Sequence, residues 1–385
     1  MVSVDAFPST DGTASVRVST KELLLAATSS QDKSVLIHVN NASSASAVAV
    51  SLPIGEWNQA KSDTSSVSMI RVETGLARVS MDTKLFDKVP MTGASPELLL
   101  KVERVSPAAL PSDVRQVTGT NIVYDFSLSL GDQKLPSFKG DIKVELPYVL
   151  APGEKPNQVV IYYIAGDGTL EVVKNGHYNA ATGMVEFRPN HFSKYAANYT
   201  QVTFRDMDGV AWANEAVLGL AARKVIQGRS ESSFVPDGDL TRAEFIQMLV
   251  QLFDLKNSAA AATFTDVAPG AWYYSAIASA QQSGLVHGQL DGSFGVNDRI
   301  SREDMAVMIF RVSKLLEVGK LNASGTHSTP FQDLNQTADY AKVAVTTLQE
   351  AGLMNGIMEG YFDPKGTSTR AQAAVVLYRL FQILT

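Results

Sequence analysis

One four-residue pattern occurs three times in the second half of the chain and decides what that half can fold into. Thr241-Arg242-Ala243-Glu244 recurs as Ser301-Arg302-Glu303-Asp304 and as Thr369-Arg370-Ala371-Gln372. Each copy opens a strongly apolar segment: Phe245 to Phe253, Met305 to Leu316, Ala373 to Leu384. A Ser or Thr followed three residues later by an acid or amide is a capping box. The hydroxyl takes the amide of the third helical residue, and the acid or amide reaches back to the cap's own N–H. Each copy therefore starts a helix. The Arg directly after each cap sits at the positive end of the helix dipole, where a cation is unfavourable and an anion is favoured. Three arginines at the same helical position point to an anion at that place.

The pattern belongs to a longer repeat. Phe204-Arg-Asp206, Phe264-Thr-Asp266 and Phe331-Gln-Asp333 open three units, and Trp212, Trp272 and Tyr340 follow. Small and apolar residues at helical spacing come next: Ala216, Val217, Leu220; Ala276, Ile277, Ala280; Ala344, Val345, Leu348. Gly228, Gly288 and Gly356 read as the breaks of those helices, and Phe234, Phe294 and Phe362 lie six residues further on. The offset is 60 residues between units one and two, and 67 and then 68 between units two and three. A constant offset across several landmarks is a true repeat. Lys256–Thr263 and Glu317–Pro330 read as connectors.

Residues 1 to about 200 have another texture. Short alternating or apolar runs (Ala14–Ser19, Ser34–Asn40, Ala47–Leu52, Ser66–Val72, Leu98–Val105, Ile122–Leu130, Lys139–Leu146, Val159–Ile164, Leu170–Lys174, Met184–Phe187) are punctuated by Gly, Pro, Asp and Ser. Lys21–Ala27 and Thr83–Lys88 fit short helices. This spacing predicts an antiparallel β sandwich. The net charge of −6 argues against nucleic acid as a main partner. No cysteine is present, which excludes a disulfide frame, thiol catalysis and a Cys zinc site. The five histidines show no metal-ligand spacing, and no phosphate loop or nucleophile elbow stands out. The chain therefore reads as non-enzymatic, without metal or cofactor. A glycosidase carboxylate pair cannot be located from sequence in a sandwich. No apolar run is long enough to span a membrane, and no signal peptide is visible at Met1.

The repeat resembles the S-layer homology (SLH) domain, in which an opening Phe-x-Asp, an aromatic, a helix, a Gly turn and a Phe-x-Pro loop precede Thr-Arg-Ala-Glu. The likeness covers about 185 residues, from Val202 to the C-terminus. It implies a multidomain chain: a β-sandwich-like module at 1–200, then repeats at 201–257, 261–320 and 328–385. Together the repeats would form one all-α, pseudo-threefold domain built on a three-helix bundle. The stretch Pro147–Pro156 and His191-Phe-Ser-Lys-Tyr195 resemble a β-rich module that precedes such repeats, with no activity attached. The family implies non-covalent binding of a secondary cell-wall polysaccharide bearing pyruvate ketals on N-acetylmannosamine, in grooves between repeats. It also implies a secreted protein held at the cell wall of a Gram-positive bacterium. The repeats thus favour a piece of a longer secreted chain over an intracellular protein. Two alternatives are a lattice subunit that self-associates in an S-layer, and a carbohydrate-binding accessory of an upstream glycoside hydrolase.

The expected ligand set is Arg242, Arg302 and Arg370 for the carboxylate, since an Arg fork binds it bidentately and keeps its charge. Gly228, Gly288 and Gly356 would let backbone approach the sugar, and Trp212, Trp272 and Tyr340 would offer it an apolar face. Asp206, Asp266 and Asp333 complete the set. The blander alternatives have the arginines tied to those three carboxylates, the aromatics in the core, and the glycines serving as helix C-caps. Unit two has Ser-Arg-Glu-Asp, which keeps the cap, the Arg and an acid, and Val296 for Pro; unit three has Gln372 for the acid and Tyr340 for Trp. All three arginines are kept, so no groove is lost on this count, and unequal affinities are expected. Replacing any of the arginines by Ala is expected to weaken polymer binding and to leave the bundle folded.

Overall fold

A computed structural model describes residues 1–384 apart from 31–32, 61–66, 88–96, 132, 136, 139–141 and 317–328. The expected connector at 317–330, the first residues of the strands expected at 66–72 and 139–146, and the last residue of the helix expected at 83–88 fall wholly or partly outside the described residues. The chain divides into two compact units, Met1–Thr200 and Gln201–Thr385.

Alternating apolar residues make the first unit a β structure, because successive side chains of a strand point to opposite faces. In Ser34–Asn40, for instance, Val35, Ile37 and Val39 are buried and His38 is exposed. The strands are β1 Val2–Asp5, β2 Thr13–Arg17, β3 Ser34–Asn40, β4 Ala47–Leu52, β5 Met69–Glu73, β6 Arg78–Asp82, β7 Leu98–Arg104 and β8 Val123–Leu130. After them come β9 Gln133–Lys134, β10 Ile142–Pro147, β11 Val159–Ile164, β12 Leu170–Val173, β13 His177–Asn179, β14 Met184–Phe187 and β15 Lys194–Tyr199. Short helices α1 (Thr20–Thr28), α2 (Ile54–Gln59), α3 (Lys84–Asp87) and α4 (Ser112–Thr118) lie between them. One sheet runs β1-β3-β5-β6-β10-β14-β13 and the other β12-β11-β15-β8-β7-β4-β2, with β9 on β8. Ile37, Ile70, Val79, Val144 and Val185 of the first sheet share one core with Val50, Leu100, Phe126, Ile161 and Tyr195 of the second.

The sheets are mixed, not purely antiparallel. The pairs β1–β3, β3–β5 and β2–β4 are parallel. The cause is the route of the chain, which alternates between the sheets from β1 to β5. Each return to a sheet is a crossover, so the strand enters in the same direction as its predecessor. The later pairs, among them β5–β6, β7–β8 and β11–β12, are antiparallel.

In the second unit, each repeat supplies two helices: α5 (Asn214–Ala222) and α6 (Arg242–Leu252), α7 (Tyr274–Gln282) and α8 (Arg302–Leu315), α9 (Asp339–Glu350) and α10 (Arg370–Leu384). The first helix of each pair does not end at Gly228, Gly288 or Gly356. It ends in a left-handed residue several positions earlier, Lys224, Gly284 or Gly352. The amides of Val225, Leu285 and Leu353 then reach back to the carbonyls of Leu220, Ala280 and Leu348, at 2.9, 2.8 and 2.9 Å. This is the Schellman arrangement, which satisfies carbonyls left open at the helix end.

Helix packing joins one repeat to the next. The first helix α7 of repeat two lies on α6 of repeat one, α9 lies on α8, and α5 lies on α10. Helix α6 also meets α8 and α10. Ala216, Ala276 and Ala344 are all buried in these contacts, where small side chains let helices approach closely. Because α5 of the first repeat packs on α10 of the last, the series closes on itself.

Candidate functional site: the cap-led helix starts and the loops they meet

Each cap-led helix begins as its first four residues require. The Thr241 hydroxyl accepts the Glu244 N–H at 3.2 Å, and the Glu244 carboxylate accepts the Thr241 N–H at 3.0 Å. Thr369 and Gln372 do the same at 3.3 and 3.1 Å. Ser301 accepts the Asp304 N–H at 3.2 Å. The Asp304 carboxylate, however, turns to Arg242 Nη1 at 2.6 Å and to the Tyr340 hydroxyl at 2.8 Å. Burial, and next the Asp304 contact, push the Tyr340 hydroxyl well above the usual tyrosine range.

The opening aspartates organise the Phe loops. Asp206 accepts the N–H groups of Phe234 and Val235 at 2.9 and 2.7 Å, and the Ser233 hydroxyl at 2.7 Å. Asp266 takes the amides of Phe294, Gly295 and Val296 at 2.6, 2.8 and 2.9 Å. Asp333 takes those of Phe362 and Asp363 at 2.9 and 2.7 Å. Burial works against a charged Asp206, but these donors outweigh it and hold its pKa at about 2. Asp266 is lowered by the same balance. The amides are thereby fixed around a left-handed residue: Val235 (φ 58°), Gly295 (φ 79°) or Asp363 (φ 58°).

The arginines do not tie to these aspartates. Each reaches forward to the Phe loop of the next repeat. Arg242 Nε donates to the Phe294 carbonyl at 3.0 Å, and its Nη1 bonds Asp304 as above. Arg302 donates to the carbonyls of Phe362 and Asn355, both at 2.7 Å. Arg370 donates to those of Phe234 and Gln227, at 3.0 and 2.6 Å. The guanidinium carbons lie 5.0, 4.7 and 4.6 Å from the ring centres of Phe294, Phe362 and Phe234. The backbone follows the same route: the amides of Arg242, Arg302 and Arg370 bond the carbonyls of Asp298, Gly366 and Gly238. Hence three junctions, one-to-two, two-to-three and three-to-one, have the same construction.

Their electrostatics differ. Arg302 and Arg370 are buried, and among the described residues their direct partners are carbonyls. Burial lowers the Arg302 pKa, opposed by Asp363 and Asp333. Burial lowers that of Arg370 too, with Arg229 adding to the effect and Glu244 and Asp206 opposing it. Both remain cations, since a guanidinium does not deprotonate in a protein.

Glu303 is the residue that sequence reasoning passed over. It stands where the other repeats have Ala243 and Ala371, and it is only 3% exposed. Its carboxylate accepts the Ala338 N–H at 3.0 Å, the Lys365 ammonium, and a long bond of 3.4 Å from the Tyr340 hydroxyl. The signal was available: a charged residue replaces Ala within an otherwise constant motif.

Trp212, Trp272 and Tyr340 lie outside the core, 58%, 61% and 60% exposed. The glycines are crowded by the protein itself. A Cβ on Gly228 would lie 2.3 Å from the Ser230 carbonyl oxygen and 2.6 Å from that of Ser233. On Gly288 it would lie 2.4 Å from the Phe264 ring, and on Gly356 2.4 Å from the Tyr361 carbonyl oxygen. A side chain at any of these three positions would collide with its own repeat.

The first unit contains a cross-strand carboxylate pair, Glu145 opposite Glu186. Lys143 bridges them at 3.4 and 3.0 Å, and Asn179 holds Glu186 at 2.7 Å. Burial raises the Glu186 pKa, but Lys143 and Asn179 prevail and keep it below the usual range. A proton donor needs the opposite. Among the described residues no cluster of three His, Asp or Glu could hold a metal, and no helix is long and apolar enough to cross a membrane.

Residues 203–246, 263–306 and 330–374 each match the family described as S-layer homology domain. An amylopullulanase of Thermoanaerobacterium thermosulfurigenes is 32% identical over 240 residues, 62% of this chain and 13% of that protein. The exoglucanase XynX of Acetivibrio thermocellus is 35% identical over 182 residues, 47% of this chain and 16% of that one. An S-layer protein of Bacillus thuringiensis subsp. finitimus is 31% identical over 173 residues, 45% and 20% of the two chains. The chain thus spans at most about a fifth of the length of these relatives. The first match is longer than the helical unit and so reaches into the β unit. Residues 203–374 of this chain carry three S-layer homology domains in tandem.

Proposed function

We propose that the helical unit anchors a secreted protein to a Gram-positive cell wall, without catalysis, by binding a pyruvylated secondary cell-wall polysaccharide in grooves between its repeats. In this reading the three repeats form one pseudo-threefold domain, and the grooves between repeats are where a pyruvate ketal on N-acetylmannosamine is taken. The observation that carries the reading is the leftover charge at the helix starts. Arg370 is a fixed cation bonded to neutral carbonyls, beside the positive end of a helix. A carboxylate is the complement of such a place, and each charge-assisted contact contributes about 1.5–3 kcal/mol. The exposed faces of Trp212, Trp272 and Tyr340 suit a pyranose ring or a ketal methyl. Several grooves on one polymer would add about 10²–10⁴ in avidity.

The names of the relatives support an anchor. They include an amylopullulanase, an exoglucanase and an S-layer protein, so the segment they share with this chain accounts for something other than one shared reaction. Co-sedimentation with purified Gram-positive cell walls tests the reading. The chain should pellet with intact walls and stay in solution once the secondary polymer has been extracted. Equal pelleting before and after extraction would contradict it.

A further inference from the structure

We infer that Glu303 is a resident anion that closes the junction between repeats two and three to an acidic ligand, and that the three-to-one junction at Arg370 is the principal acidic-ligand site. This inference rests on the anchoring reading and specifies which of its grooves does the binding.

Glu303 is the second residue of α8, within its first turn, and its equivalents Ala243 and Ala371 carry no polar side chain. A glutamate there brings a carboxylate to the positive end of the helix, beside Arg302. The carboxylate reaches across the junction and takes two donors of repeat three, the Ala338 amide and the Lys365 ammonium, and lies 3.4 Å from the Tyr340 hydroxyl, whose proton goes to Asp304. A cation, a backbone N–H and an aromatic hydroxyl are the donors that an incoming carboxylate would need. They are already used, and a second carboxylate would meet a buried like charge. Lys365 has no counterpart in the other repeats, where Asp237 and Asn297 stand. The lysine and the glutamate therefore form a pair particular to this junction.

The other two junctions keep Ala at this position, and they are not equal. At the one-to-two junction Arg242 is bound to the Asp304 carboxylate, which takes up part of its charge. At the three-to-one junction Arg370 is held by carbonyls, and Gln372 replaces the acid of the capping box. Arg229, which follows Gly228, adds a second cation near Arg370 while pairing with Glu244. Its equivalents are Gln289 and Ile357. The turn Asp208–Ala213, which bears Trp212, packs on α10 at this junction. Cation and helix start thus coincide here with no resident carboxylate at the Ala371 position, and the Trp212-bearing turn lies on the same helix.

The test is an NMR titration of the whole chain with the methyl glycoside of N-acetylmannosamine carrying a pyruvate ketal. The Trp212 indole N–H reports the three-to-one junction, and the Ala338 amide reports the two-to-three junction. In the wild type the Trp212 signal should shift saturably while the Ala338 amide stays in place. In Glu303→Ala, which restores the residue of the other repeats, the Ala338 amide should begin to respond, with affinity at that junction raised roughly tenfold or more. An Ala338 amide that moves with Trp212 in the wild type would overturn the inference, whatever the variant does. So would an Ala338 amide that stays still in folded Glu303→Ala. Loss of every shift in both proteins would remove the anchoring reading itself, and the assignment of Glu303 with it.

Discussion

The two units treat buried charge in opposite ways. In the β unit Lys143 lies between Glu145 and Glu186, so each charge meets its opposite within one sheet. In the helical unit Arg302 and Arg370 are more deeply buried, yet they end on carbonyls of the next repeat. The first arrangement is self-contained. The second uses the guanidinium as a tie between repeats and gives it carbonyls, not a carboxylate, as its direct partners among the described residues. Stability alone calls for the first arrangement, since buried charges are kept only when paired and bonded. The second has a further use if an anion arrives from outside.

The sharpest break of that comparison is Arg302→Ala. It removes two charge-assisted bonds and a cation–π contact, and leaves the Phe362 and Asn355 carbonyls without these donors. Denaturant unfolding should show a loss of about 3 kcal/mol for the helical unit. Arg302→Lys should recover only part, because one ammonium cannot span the two carbonyls as a fork does. The cost follows from burial and comes on top of any loss of ligand binding. Arg→Ala at this position thus affects stability as well as recognition. Lys143→Ala tests the other unit. It sets two carboxylates against each other and should cost about 2 kcal/mol, less than a fully buried pair because the site is partly open. Adding Glu186→Gln should return most of that loss, as the double-mutant comparison would show.

Asp206→Asn should cost about 1 kcal/mol at pH 7, since an amide can accept from the Phe loop with one oxygen only and the site is screened by solvent. The folded pKa of Asp206 is depressed to about 2. Its contribution is therefore complete above about pH 4, near the ordinary carboxylate value, and is lost as pH falls toward 2. Unfolding curves of wild type and Asp206→Asn should converge over that interval; a constant gap would mean that the carboxylate charge is irrelevant. The smallest effect belongs to Arg229→Ala. Its pair with Glu244 is half exposed on the arginine side and should contribute under about 1 kcal/mol.

The helical unit was far more legible in the sequence than its junctions were. Three capped starts at constant offset placed the beginnings of α6, α8 and α10 to the residue, because capping is local chemistry. The destinations of Arg242, Arg302 and Arg370 were not legible, since they bond residues 52 to 143 positions away and across repeats. The role of Lys224, Gly284 and Gly352 as helix ends was missed because repeat one uses Lys for a left-handed position that Gly normally fills. In the β unit, long alternating runs such as β3, β4 and β11 were placed at their observed ends. Short β1 and β6, and β15 with its two alanines, carry too little pattern to be separated from loops. The parallel pairs could not be read from alternation, which reports faces and not direction.

The most direct test of the central claim is calorimetric titration of the chain with purified cell-wall polymer, with and without its pyruvate groups. The leftover positive charge at the helix starts predicts binding to the pyruvylated polymer and none once the ketals are removed. Equal binding to both forms would contradict the carboxylate mechanism and move recognition to the exposed faces of Trp212, Trp272 and Tyr340.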